Sequence, residues 1–200
     1  SAASAGTRML RALDYAARRG YGLPVRYATL VQTLGDAVPA TRANRGARSQ
    51  HVADAVSARL KAPLEGRDAG HRAARFRGAV QGVGALRPAQ LLDLVVGCDA
   101  LRRPRRLEWV MRAAEADACA MTRVPCGFPQ AAQVDEARGV IAGVDAGAIA
   151  RAEPRRRADG ADSADDVRRA IRRARLAALA RWKRPTDAAA RGAASRPRRS

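Results

Sequence analysis

Three times this chain writes a proline and then sets apolar side chains three, six, seven and ten residues downstream. Pro24 leads Tyr27, Leu30, Val31 and Leu34; Pro88 leads Leu91, Leu94, Val95 and Cys98; Pro104 leads Leu107, Val110, Met111 and Ala114. Such offsets fall on one face of a helix with 3.6 residues per turn. Proline at the first helical position sacrifices no hydrogen bond, because that N–H has no intrahelical acceptor. Nowhere do β-branched residues alternate with polar ones over the length of a strand. The expected fold is therefore all-α: stacked helical hairpins or a small irregular bundle with basic extensions.

The same periodicity predicts helices over Pro24–Val38, Pro88–Leu101 and Pro104–Met121. Others are expected at Thr7–Arg19, at Gln50–Lys61 with Ser49 as cap, at His71–Val83, at Ala131–Val144 and at Ser163–Arg184. Gly78, Gly82 and Gly84 each weaken the His71–Val83 helix by about 1 kcal/mol where they fall inside it. Pro39–Arg48, Thr122–Pro129 and Glu153–Asp162 read as linkers. This divides the chain into an N-terminal hairpin and basic loop (1–48), a helical body (49–152) and an Arg-rich helix with its tail (153–200).

A helical body of this kind has little to build a core from. Of 94 residues counted as hydrophobic, 48 are Ala, and Leu, Ile, Val and Phe together number 35 of 200. That share sits below the roughly 20% at which a highly charged chain struggles to compact alone. A net charge of +19 opposes compaction further. By successive quarters the charge is +6, +2, +1 and +10, so the ends carry it. The expected chain completes its folding against an anionic partner. Of its 38 basic residues 36 are Arg, which grips phosphate with a bidentate fork and stacks on bases.

Several classes are excluded. No run of 18 apolar residues exists, so no transmembrane segment is expected. Cys98, Cys119 and Cys126 are odd in number and irregular in spacing, which gives no disulfide framework and favours a reducing compartment. His51 and His71 cannot supply a ligand cluster, and no CxxC occurs. No HExxH, GxSxG or DxDxDG pattern occurs, and Gly78–Gly84 is neither GxGxxG nor a P-loop. Glu115–Asp117 and Asp135–Glu136 read as helix-surface acids. The expectation is no enzyme, no catalytic residue, no cofactor and no metal. The chain opens on Ser1 instead of Met, and residues 1–50 carry eight Arg against Asp14 and Asp36, the character of an organellar transit region. Something upstream is expected to have been removed.

The basic clusters carry the chemistry. In Ser163–Arg184, Ser163 is placed to cap, with Asp165 and Asp166 in the favourable first turn. Val167, Ile171, Ala174, Ala178 and Trp182 mark an apolar stripe. Arg168, Arg169, Arg172, Arg173, Arg175, Arg181 and Arg184 cover much of the rest. Such a helix docks on protein and faces phosphate. Arg155, Arg156 and Arg157 precede it, and Arg196, Arg198 and Arg199 end the tail. A second cluster, Arg102, Arg103, Arg105 and Arg106, surrounds Pro104, and Arg72, Arg75 and Arg77 form a smaller one. Aromatics number seven, and Trp109 with Tyr15, Tyr21 and Tyr27 reads as packing. Shape and phosphate contacts to folded RNA are expected more than stacking on single strands.

Leu86–Ala114 (LRPAQLLDLVVGCDALRRPRRLEWVMRAA) resembles the octotricopeptide and RAP-associated helical-hairpin repeats of organellar RNA-binding proteins. The whole chain, Arg- and Ala-rich, is similar to the lineage-specific helical proteins of mitochondrial ribosomes. The resemblance implies a non-catalytic structural protein of the mitochondrial matrix, bound to rRNA and neighbouring ribosomal proteins within a large complex. The alternatives are a supernumerary subunit of an organellar membrane complex and a nucleoid DNA-binding protein.

Overall fold

The computed structural model describes residues 4–37, 39, 41, 44–122, 126–152 and 163–184. The fold is all-α, and no strand occurs among the described residues. The helices are α1 (Ala5–Arg18), α2 (Leu23–Val31), α3 (Arg45–Arg59), α4 (Leu64–Gln81), α5 (Pro88–Gly97), α6 (Pro104–Cys119), α7 (Gln130–Ala142), α8 (Ala146–Ala152) and α9 (Ser163–Lys183). The chain forms two compact units, Ser1–Arg138 and Gly139–Ser200.

In the first unit α4 is the central helix. It packs on α2, α3 and α6, while α1 lies against α2 and α6. The three proline-led helices start where their prolines place them, with Pro24 in the first turn of α2 and Pro88 and Pro104 opening α5 and α6. Large side chains are rationed. Leu91, Leu92, Leu94 and Val95 of α5 and Leu107 and Val110 of α6 are all fully buried. Between α1, α2, α4 and α6 the core is instead built on Ala16, Ala28, Ala69, Ala73, Ala113 and Ala116, with Tyr21 and Val25. Small residues let helix backbones approach closely, so contact stands in for bulk. Gly70 is the limiting case: a Cβ there would lie 2.7 Å from Val31 Cγ2 and 3.3 Å from Tyr27 Cε1.

Four boundaries depart from the periodicity. α4 begins seven residues before the expected start at His71, because its first two turns bury Gly66, Ala69 and Gly70, which carry no apolar signal. α3 likewise begins at Arg45, so Ser49 is no cap but a buried residue inside the helix. Gly35 explains that burial, since a Cβ on it would stand 2.4 Å from Ser49 Cα. The Pro24–Val38 helix breaks after Val31 and resumes as a 3-10 turn at Leu34–Ala37; Val38 lies outside the described residues. α5 stops at Gly97, not Leu101, because Asp99 takes a left-handed conformation (φ 52°), which Asp tolerates better than most residues.

The cysteines also differ from expectation. Cys119 and Cys126 form a disulfide, with Cα atoms 5.5 Å apart. α6 ends at Cys119, and Thr122 Oγ1 donates to the Cys119 carbonyl at 2.8 Å as the chain leaves the helix. That local turn brings residues seven apart together, which spacing alone did not show. Cys98 is free and buried, and burial pushes its thiol up to about 12. No helix among the described residues is long and apolar enough to cross a membrane.

Candidate nucleic-acid interface

α9 carries a dense set of exposed arginines. Asp165 and Asp166 stand in its first turn, where the helix dipole favours negative charge. Asp165 binds Arg168, and Asp166 accepts from Arg169 at 2.6 Å. Both pairs span one turn of the same helix, so they hold the two guanidinia without covering them. Arg168, Arg169, Arg172, Arg173, Arg181 and Arg184 are all exposed, and they spread over the broad solvent side of the helix, somewhat more than half of its circumference. From Arg168 to Arg184 that side runs about 24 Å at 1.5 Å per residue. Arg175 is the exception: it is half-buried, and its Nε has no hydrogen-bond partner among the described residues. Ala170 and Leu179 are buried, and Val167, Ile171, Ala174, Ala178 and Trp182 are half-buried. Leu179 escaped the sequence reading because the stripe was drawn through its neighbour Ala178. Arg155, Arg156, Arg157, Arg196, Arg198 and Arg199 lie outside the described residues.

The second cluster divides. Arg102, Arg103 and Arg105 are exposed, and the Arg103 side chain is 63% so. Arg106, only 18% exposed, donates from Nε to Asp68 at 2.7 Å and from a terminal nitrogen to Asp99 at 2.8 Å. It locks the α5–α6 elbow to α4 and offers little to a ligand.

The third cluster is mostly internal. Arg72 binds Asp68 one turn away. Arg77 binds Asp36 and Asp117, the latter at 3.1 Å. Arg75 alone is exposed, donating to Gln50 Oε1 at 3.0 Å and lying over the Phe76 ring at 5.2 Å.

Asp135 and Glu136 are exposed, as helix-surface acids should be, but Glu115 and Asp117 are not, and that expectation is corrected. Asp117 is 2% exposed and accepts from Arg8 at 3.0 Å, Arg77 at 3.1 Å and Gln81 at 2.9 Å. Glu115 accepts from the Tyr15 and Tyr21 hydroxyls, both at 2.8 Å. Burial, then the hydrogen bond to Glu115, pushes the Tyr15 phenol up to about 12. Burial raises Tyr21 as well. A buried carboxylate persists only when paired and hydrogen-bonded. The missed signal lies in the partners, which sit about a hundred residues away for Arg8 and Tyr15. Among the described residues no group of three His, Cys, Asp or Glu could hold a metal ion.

No family model matches the chain, and no solved structure matches it. Curated bacterial proteins do. The chain is 36% identical over 182 residues to the Multifunctional CCA protein of Burkholderia multivorans, covering 88% of this chain and 42% of that protein. It is 37% identical over 153 residues to the Multifunctional CCA protein of an Azoarcus species, 74% of this chain and 37% of the relative. Against that of Cupriavidus taiwanensis it is 37% identical over 186 residues, 88% and 42%. The chain thus spans about two fifths of the length of the curated relatives it matches.

These relatives overturn the organellar reading. The likeness at Leu86–Ala114 to octotricopeptide repeats and the likeness of the whole to mitochondrial ribosomal proteins are superseded by similarity over most of the chain to bacterial proteins of another kind. With them go the matrix localisation, the rRNA and ribosomal-protein partners, the non-catalytic role, and the membrane-complex and nucleoid alternatives. Arg and Ala richness describes a composition, and composition is shared by unrelated helical chains.

Proposed function

We propose that this chain belongs to an enzyme that acts on tRNA at its CCA end, in a bacterial cytoplasm, and that its helical units grip the tRNA. The observation that carries this reading is the 34–37% identity to proteins named Multifunctional CCA protein. Its charge supports the RNA part: +19 overall, with +10 in the last fifty residues. In this reading the exposed side of α9 (Arg168, Arg169, Arg172, Arg173, Arg181 and Arg184) meets backbone phosphates. Arg102, Arg103 and Arg105 supply a second patch. Arg155–Arg157 and the arginines at 196, 198 and 199 extend the charge along the chain. Each phosphate neutralised adds about 0.7 to 0.9 to the salt slope of binding.

Filter retention of labelled tRNA at rising salt tests the reading, with an rRNA helix and a DNA duplex of equal length as competitors. tRNA is expected to be displaced by neither competitor at a tenfold excess. Equal displacement by all three would overturn the tRNA assignment and leave a chain that binds any polyphosphate.

A further inference from the structure

The elbow between α5 and α6 forms one wall of an open cleft of about 410 Å³. The other wall is the start of α4, with Leu64, Glu65 and Asp68; α6 contributes Pro104, Trp109 and the arginines at 103, 105 and 106. Its volume falls within the range of small-molecule sites, roughly 300–1,000 Å³.

Trp109 has two environments. It packs against the alanine-rich core of α1, α2, α4 and α6, and it also lines the cleft. The Arg105 guanidinium lies over its ring, 5.7 Å from the centroid. Across the cleft stands Leu64, 81% exposed, an apolar residue at the mouth of a charged site. The floor is electrically settled, since Asp68 and Arg106 bind each other at 2.7 Å. The rim is not. Arg103 is largely exposed and approaches Asp99 only at 4.0 Å, and among the described residues no carboxylate lies within ion-pair distance of Arg105. Both stand in or beside the first turn of α6, where the helix dipole disfavours cations. An anion bound between them would reverse that penalty.

We propose that this cleft takes one unpaired nucleotide, its base on the Trp109–Arg105 stack and its phosphate on Arg103 and Arg105. Bases splayed from a strand stack on aromatic rings and on guanidinium planes, a contact that tolerates any base because every base has a π-face. Glu65, exposed on the opposite rim, is an acceptor for an exocyclic amino group. A base inside a duplex has both faces covered and cannot enter. This inference rests on the RNA reading only for the source of the nucleotide, a strand or the free pool; the cleft's chemistry is the same for both.

The test uses the two tryptophans. In a Trp182→Phe protein, emission reports Trp109 alone. Titration with a single-stranded adenine–cytosine pentaribonucleotide should quench it saturably, and the same strand in a duplex should not. Arg105→Ala, an exposed change that leaves the core intact, should raise the half-saturating concentration at least about fivefold, the low end for loss of a stacking partner. Trp109→Phe, which keeps a ring but loses the reporter, is followed by filter retention of the labelled pentamer and should bind more weakly than the parent protein does in the same filter assay. Free AMP is the second arm: half-saturation equal to the pentamer assigns the site to free nucleotides, and much weaker binding assigns it to a strand. Unchanged Trp109 emission with both probes, or unchanged half-saturation in Arg105→Ala, overturns the proposal. Preferential tRNA retention in the filter assay, measured on the same protein, would then stand by itself, so failure of the cleft and failure of the tRNA reading are told apart.

Discussion

Arginine does two different jobs in the two units. In the first, Arg77 and Arg106 are mostly buried against Asp36, Asp68, Asp99 and Asp117, carboxylates contributed from other elements. In α9, Arg168 and Arg169 pair with the acids one turn before them and stay open to solvent, as do Arg172, Arg173 and Arg181. The lesson concerns the carboxylates more than the arginines. Where acids come from distant helices, the pair crosses an interface and becomes architecture. In α9, where they come from the same helix and that helix faces solvent, the pair tunes one surface and leaves it available. An alanine-rich core buries little apolar area per helix, so crossing ion pairs also fix which helices meet. The two units carry nearly equal net charge, +10 over residues 1–138 and +9 over 139–200, but the second concentrates it in fewer than half as many residues.

The strongest break of this comparison is Asp117→Ala. Removing this buried carboxylate takes the shared acceptor from Arg8, Arg77 and Gln81 and leaves half-buried Arg77 with Asp36 alone, a loss of about 3–5 kcal/mol. Urea unfolding should show a midpoint shift of that size. A shift below 1 kcal/mol would mean that Asp117 is not the junction its contacts describe. The next test runs the other way. Replacing Arg169, Arg173 and Arg181 with Ala should leave unfolding free energy within about 0.5 kcal/mol, as for other exposed sites. The salt slope of tRNA binding should fall by about two to three. Loss of stability with an unchanged slope would make α9 architectural too.

A sharper version lies within one cluster. Arg103→Ala should be nearly silent in stability, whereas Arg106→Ala should cost about 1–2 kcal/mol. That is less than the value for a fully buried pair, because Asp68 and Asp99 keep some contact with water. These two residues are three apart and look alike in sequence. Equal effects would dissolve the distinction between crossing and local pairs.

That last pair shows what the sequence can and cannot display. The proline-led periodicity located α2, α5 and α6 at their first turns, because burial of large side chains leaves a pattern at 3.6 residues. The same logic failed for the start of α4, where the buried residues are Gly66, Ala69 and Gly70, and for α3, where Ser49 is buried beneath Gly35. Close packing of small residues leaves no apolar trace. Ion pairs are hidden for a different reason: Arg8 and Asp117 are 109 positions apart, and no local rule links them. The basic character of α9 was legible because a helix displays its own periodicity. Arg106 was not separable from Arg103, because Asp99 approaches both, at 2.8 and 4.0 Å, and the difference lies in Asp68, which only the fold brings to the elbow. The organellar likeness failed for a related reason, since overall composition constrains charge and helix content without fixing ancestry.

The smallest expected effect concerns the other acid of α6. Glu115 holds the Tyr15 and Tyr21 hydroxyls, and the Tyr15 phenol is pushed up to about 12 from its ordinary 10. The sign follows from linkage. The folded state keeps the Tyr15 proton where the unfolded chain loses it, so this contribution is fully present below pH 10 and is lost as pH rises through about 12. Tyr15→Phe should cost about 0.5–1.5 kcal/mol at neutral pH, the value of one net hydrogen bond. It should also flatten the fall of stability between pH 10 and 12, read from urea midpoints across that window. Tyr21 still donates to Glu115 in the variant, so the fall should shrink without vanishing. An undiminished fall would place the alkaline sensitivity elsewhere. It would also mean that the contacts of Glu115, unlike those of Asp117, join α6 to its neighbours without much energy. Depth of burial would then separate the two acids better than the distance in sequence to their partners.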